Sequence, residues 1–105
     1  MPNSQFETAS LRPDGSVHVT GRVGAVEAGE ATFRFMVVQD DVVVEGTGKQ
    51  AGGQGWSGDA DPGQGQLHAG PVLAIGLAIV AKKVPGRGLG YETLTWADQL
   101  DLKPE

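Results

Sequence analysis

Residues Gly70 to Ala81 read GPVLAIGLAIVA, and large and small side chains alternate along the run. Leu73, Ile75, Leu77 and Ile79 take the odd positions, and Ala74, Gly76 and Ala78 take the even ones. A strand sends successive side chains to opposite faces, so this segment has one bulky aliphatic face and one nearly flat face. Neither face carries charge, which predicts a buried central strand. The bulky residues are expected in the core. The flat face of Ala74, Gly76 and Ala78 is expected under another sheet, a partner chain or a ligand, and offers a surface for close self-association.

Period-two alternation recurs elsewhere. Val17, Val19 and Val23 alternate with Ser16, His18, Thr20 and Arg22, with Gly21 in the apolar register. Phe33, Phe35 and Val37 alternate with Thr32 and Arg34, and Leu94 and Trp96 with Thr93 and Thr95. Half-apolar strands of this kind point to an antiparallel arrangement with one wet face. The connections are short: Arg12-Pro13-Asp14-Gly15, Glu27-Ala28-Gly29-Glu30 and Pro85-Gly86-Arg87-Gly88 carry turn chemistry, and Asp40-Asp41 reads as a tight hairpin. Strands are expected at about 5–11, 16–24, 31–39, 42–48, 54–58, 66–81 and 90–97. A strand over all of 66–81 would run about 50 Å, so a break is placed at Gly70-Pro71, where proline lacks a ladder donor. Thr95–Leu100 reads as strand, with a helical turn capped by Thr95 as the alternative.

The resulting expectation is a single all-β domain over 1–105, an antiparallel two-sheet sandwich of about seven strands. The alternative is a small closed barrel in which Ala74, Gly76 and Ala78 face a cavity. Residues 46–65 contain 8 glycines in 20 positions and read as a glycine-rich flexible loop or a weak edge hairpin held down by Trp56, with a mobile binding loop as the functional reading.

A net charge of −5 and the absence of a basic stripe argue against nucleic acid. No cysteine is present, which removes disulfides and thiolate chemistry. The apolar run at 70–81 is too short to span a bilayer as a helix, so no membrane partner is expected. MPNSQFETAS has no secretory pattern, so the chain reads as cytoplasmic; a mature secreted form would look the same.

Catalytic patterns are weak. Gly46-Thr47-Gly48-Lys49 lacks the spacing of a phosphate loop. Asp59-Ala60-Asp61 is a fragment of a calcium site without its remaining ligands, and His18 and His68 fall short of a metal set. A Ser–His–acid group could draw on Ser10, Ser16 or Ser57, but no nucleophile elbow accompanies them. No catalytic residue, metal or cofactor is expected. The candidate binding residues are Trp56, Asp59, Asp61, His68 and Tyr91.

Gly15-Ser-Val-His-Val-Thr-Gly21, Phe33-x-Phe35 leading to Gln39, Val44-x-Gly46-x-Gly48, Trp56, Leu67-x-x-Gly70 and Glu92-Thr-Leu-Thr-Trp96 give an order of features over 15–100. That order resembles immunoglobulin-like β-sandwich domains of bacterial surface and secreted proteins. The resemblance implies binding, adhesion or scaffolding, and brings no functional residue by position. The expected function is therefore a non-enzymatic binding or structural module whose partner is another protein or a second copy. The alternative is a small barrel that holds an apolar small molecule or acts on it. Trp56 and Tyr91 would then stand at its mouth, with His68 or Asp59 as the polar group.

Overall fold

The computed structural model describes residues 4–24, 31–52, 54–62 and 65–105. Seven strands follow one another: β1 (Gln5–Leu11), β2 (Val17–Arg22), β3 (Ala31–Gln39), β4 (Val42–Gly52), β5 (Gly55–Ala60), β6 (Gly70–Val84) and β7 (Gly88–Pro104). They close into one barrel in the order β1-β2-β5-β4-β3-β6-β7. The closed barrel replaces the expected two-sheet sandwich and matches its alternative. All neighbouring pairs are antiparallel except β1 with β7, which run parallel over three residue pairs, from Ala9↔Leu102 to Leu11↔Pro104.

The turns form where their chemistry dictates. Gly15 takes the left-handed conformation at φ 89°, and its N–H donates to Arg12 O at 2.9 Å. Asp40 turns the β3–β4 hairpin at φ 53°. β6 begins at Gly70, at φ 135°, so residues 66–69 stay outside the ladder, while Pro71 lies within it opposite Asp101 of β7. Thr95–Leu100 is strand within a continuous β7. The turn expected at Glu27–Glu30 lies outside the described residues.

Residues 46–52 complete β4 and 55–60 form β5, an antiparallel pair, so much of the glycine-rich segment is the hairpin of its two readings and not a flexible loop. The expected core placement of Leu73, Ile75, Leu77 and Ile79 is overturned, and the small residues face inward, as in the barrel alternative. Ala74 and Ala78 are fully buried with Val72 and Val80, whereas Leu73 and Ile79 are each 38% exposed and Ile75 and Leu77 half-buried. The flat face therefore looks into the barrel, and cannot serve as a surface between chains.

The aromatic side chains supply the reason. Phe6, Phe33, Phe35, Trp56 and Trp96 fill the barrel as one cluster; Phe33 stacks on Trp56 with centroids 5.4 Å apart and rings 3° from parallel. Across the ladders the bulky rings sit largely opposite small residues. Phe35 lies between Gly46 and Gly76, and Phe33 between Gly48 and Ala78; Trp96 is paired with Gly76, and Trp56 with Gly21 on β2 and Gln50 on β4. A small barrel has room for large side chains only where its neighbours are small. Leu67, from the segment between β5 and β6, is buried where that segment crosses one end. Its neighbour His68 is held by Gln39: His68 N–H donates to Oε1 at 2.8 Å, and Nε2 donates to His68 O at 2.8 Å.

Candidate functional site

The outside of the barrel is divided by the strand order. Across β1, β2 and β5 the outward side chains are polar. Ser10 pairs with His18, and His18 pairs with Asp59. His18 Nδ1 lies 3.0 Å from Asp59 Oδ1, and Arg12 Nη1 donates to the same oxygen at 2.7 Å. Arg12 Nε is also 3.5 Å from Glu105 Oε2. The His18 and Arg12 partners hold the Asp59 carboxyl below its ordinary value of 3.8. Asp14 is lowered in the same direction by the Ser16 hydroxyl and N–H, which donate to its Oδ1 at 2.6 and 2.9 Å.

Ser10, His18 and Asp59 thus share one row, in the order of a nucleophile, base and acid. Among the described residues, however, no hydrogen bond joins Ser10 to His18. The row crosses the outer surface of a barrel, and Arg12 competes for the carboxylate that would orient the imidazole. Catalysis needs nucleophile and base within reach at a place where substrate is held. This row has the acid–base contact without the rest, and acts as a surface ion-pair cluster.

The opposite outer wall carries an aliphatic stripe on β6 and β3 flanked by polar residues. The register aligns Val43, Val38, Leu73 and Gln99 in one row across β4, β3, β6 and β7. Glu45, Met36, Ile75 and Ala97 form the next row, with β7 included, and Thr47, Arg34, Leu77 and Thr95 the one after. A groove of about 470 Å³ runs over this wall, lined by Arg34, Met36, Glu45, Thr47, Ile75 and Leu77 among others. Arg34 and Glu45 are both exposed and make no ion pair among the described residues.

The residues singled out in the sequence do not converge. Trp56 is 1% exposed at the centre of the aromatic cluster. Asp59 belongs to the polar wall, and Asp61 is exposed just beyond the end of β5. His68 is exposed on the segment that crosses the Leu67 end. Tyr91 is 73% exposed near the far tip of the β6–β7 hairpin. Ala74, Gly76 and Ala78 are buried inside the barrel, Gly76 against the Trp96 ring and Ala78 opposite Phe33. The indole N–H groups of Trp56 and Trp96 are buried without a hydrogen-bond partner. They lie in the aromatic cluster, whose ring faces are weak acceptors. Among the described residues no group of three His, Asp or Glu side chains is placed to hold a metal ion.

Sequence reasoning missed the outward aliphatic wall, because alternation shows which residues share a face without showing which face is inside. It also missed Asp98, whose Oδ2 accepts the Phe6 N–H at 2.8 Å. No known protein family, curated protein or solved structure matches this chain.

Proposed function

We propose that this protein is a non-enzymatic binding or structural module that self-associates through the outer wall of β4, β3, β6 and β7. The observation that carries this reading is the outward orientation of Leu73, Ile75, Leu77 and Ile79. Contiguous apolar side chains on an outer surface lose free energy to water until something covers them. Val38, Val43 and Met36 widen the stripe across two further strands.

A second copy is the occupant that the charges favour. Arg34 and Glu45 lie on adjacent rows of the same patch and carry opposite signs. In a two-fold pairing each surface meets itself, and an axis passing between these two rows brings Arg34 of each copy to Glu45 of the other. A single chain thereby supplies both halves of a charge-complementary, apolar contact.

Light scattering over a range of protein concentrations tests the reading. A dimer is expected for the natural chain, and Ile75→Glu with Leu77→Glu should yield a folded monomer, since both side chains point away from the core. Reversing Arg34 or Glu45 alone should weaken the dimer, and reversing both should restore it. A natural chain that stays monomeric at every concentration, or a dimer indifferent to Ile75→Glu and Leu77→Glu, would refute the proposal.

A further inference from the structure

The cations of this chain are unevenly placed. Lys82, Lys83 and Arg87 are three of its eight basic residues, and no Asp or Glu occurs from Gly70 to Tyr91. Removing these three cations from the net charge of −5 leaves −8 for the remainder. The structure puts them at one extremity. The pairing of β6 with β3 ends at Val80, whereas the β6–β7 ladder continues to Val84↔Gly88. Four further rungs carry the hairpin roughly 13 Å past β3. The molecule is correspondingly long, 49 Å against 21 Å in the other two directions.

The same tip carries apolar side chains. Leu89 is 65% exposed and Tyr91 73% exposed. Val84 and Pro85 join Leu89, Lys83 and Gly88 around a concavity of about 440 Å³. The turns at the opposite end hold Asp14, Asp40, Asp41 and Asp61, all exposed. Among the described residues the hairpin tip is basic and apolar, with Glu92 the first acid along β7, whereas the turns at the other end carry these four aspartates, with Arg12 and Lys103 nearby.

We propose that the β6–β7 hairpin docks on the surface of an anionic phospholipid bilayer, tip first. Lys83 and Arg87 are exposed on the tip, where they can meet acidic headgroups. Tyr91 suits the headgroup boundary and Leu89 the acyl region beneath it. The acidic remainder is repelled by the same surface, which fixes the orientation. A nucleic acid would need a basic stripe longer than one turn provides. Docking of this kind requires no spanning segment, and no helix among the described residues is long and apolar enough to cross a membrane. It is independent of the contact between copies.

The test is sedimentation of the full chain with phosphatidylcholine vesicles, with and without phosphatidylserine, at low ionic strength. Binding is expected only to the phosphatidylserine vesicles, with release by added salt. Lys83→Ser with Arg87→Ser should weaken binding about 25-fold, at roughly five-fold per cation. Leu89→Ser with Tyr91→Ser should also weaken it, while retaining its dependence on salt. All four changes lie at an exposed tip, so an unchanged melting temperature shows that any lost binding is not unfolding. Absence of binding to phosphatidylserine vesicles, or indifference to both pairs of substitutions, overturns the proposal. So does binding that needs the cations but ignores Leu89 and Tyr91, which describes a purely electrostatic contact. Low-salt self-association abolished by the cation changes, without vesicle binding, would instead assign the tip to the acidic end of another copy.

Discussion

A Cβ added at Gly76 would run into the Trp96 ring, and one added at Gly46 into the carbonyl of Asp59 and the Phe35 ring. Gly48 and Gly58 are equally constrained, by Trp56 and Phe35 respectively. The glycines of β4, β5 and β6 are thus the complement of the aromatic residues. Gly76→Ala should cost about 1–3 kcal/mol through overpacking, read as a lower denaturation midpoint. Gly46→Ala should cost at least as much, because a backbone carbonyl yields less readily than a ring. An unchanged midpoint for both would mean that the barrel is looser than its contacts imply. This exchange of sizes also explains why the β6 sequence misleads. Its alternation was legible, and so were the inward registers of Val17, Val19, Phe33, Phe35 and Val37. The inward face of β6 depended on the architecture, the sandwich putting the bulky residues inside and the barrel the small ones. Aliphatic bulk ordinarily marks the core, but here rings from β1, β3, β5 and β7 already occupy it.

The seam between β1 and β7 closes the barrel with a short ladder and one side chain. Parallel pairing covers only Ala9–Leu11, and a register shift interrupts β1 between Phe6 and Thr8 in its pairing with β2. Beyond the seam ladder, the Asp98 carboxylate accepts the Phe6 N–H in place of a backbone carbonyl. Asp98→Ala leaves that part-buried donor without a partner and should cost about 1.5–3 kcal/mol, the range for a bond to a charged group. Asp98→Asn, which keeps an acceptor oxygen, should cost less. Hydrogen exchange provides the local check: the Phe6 amide should lose protection in Asp98→Ala before the β3–β4 amides do. Seven strands and most of their turns could be read from alternation and Gly–Pro chemistry. The seam could not. It joins residues 92 positions apart, and nothing local in β7 marks an aspartate as a backbone acceptor. The contact between His18 and Asp59 was hidden for the same reason, since β5 returns beside β2 and not beside β6.

The polar wall of the barrel responds to acid. Asp59 and Asp14 both have folded-state values below 3.8. A lowered carboxyl contributes stability that is fully present above its unfolded value and is lost as pH falls through the folded one. The natural chain should therefore be more stable than Asp59→Asn near neutral pH, and the two melting temperatures should converge as pH falls below about 3.8. A difference that persists unchanged into strong acid would show that the Asp59 contacts contribute nothing through its charge. The effect should be small, because both partners in this cluster remain substantially open to solvent.

The parallel seam has a kinetic side. Until the first and last strands meet, each is a free edge, a row of unpaired donors and acceptors able to template another chain. Their meeting comes only after a loop spanning most of the polypeptide has been closed, which places this barrel among slowly folding, non-local topologies. During that interval the aliphatic wall of β6 and two open edges are present on the same sheet. The fold's most exposed moment is thus the one just before it becomes a cylinder.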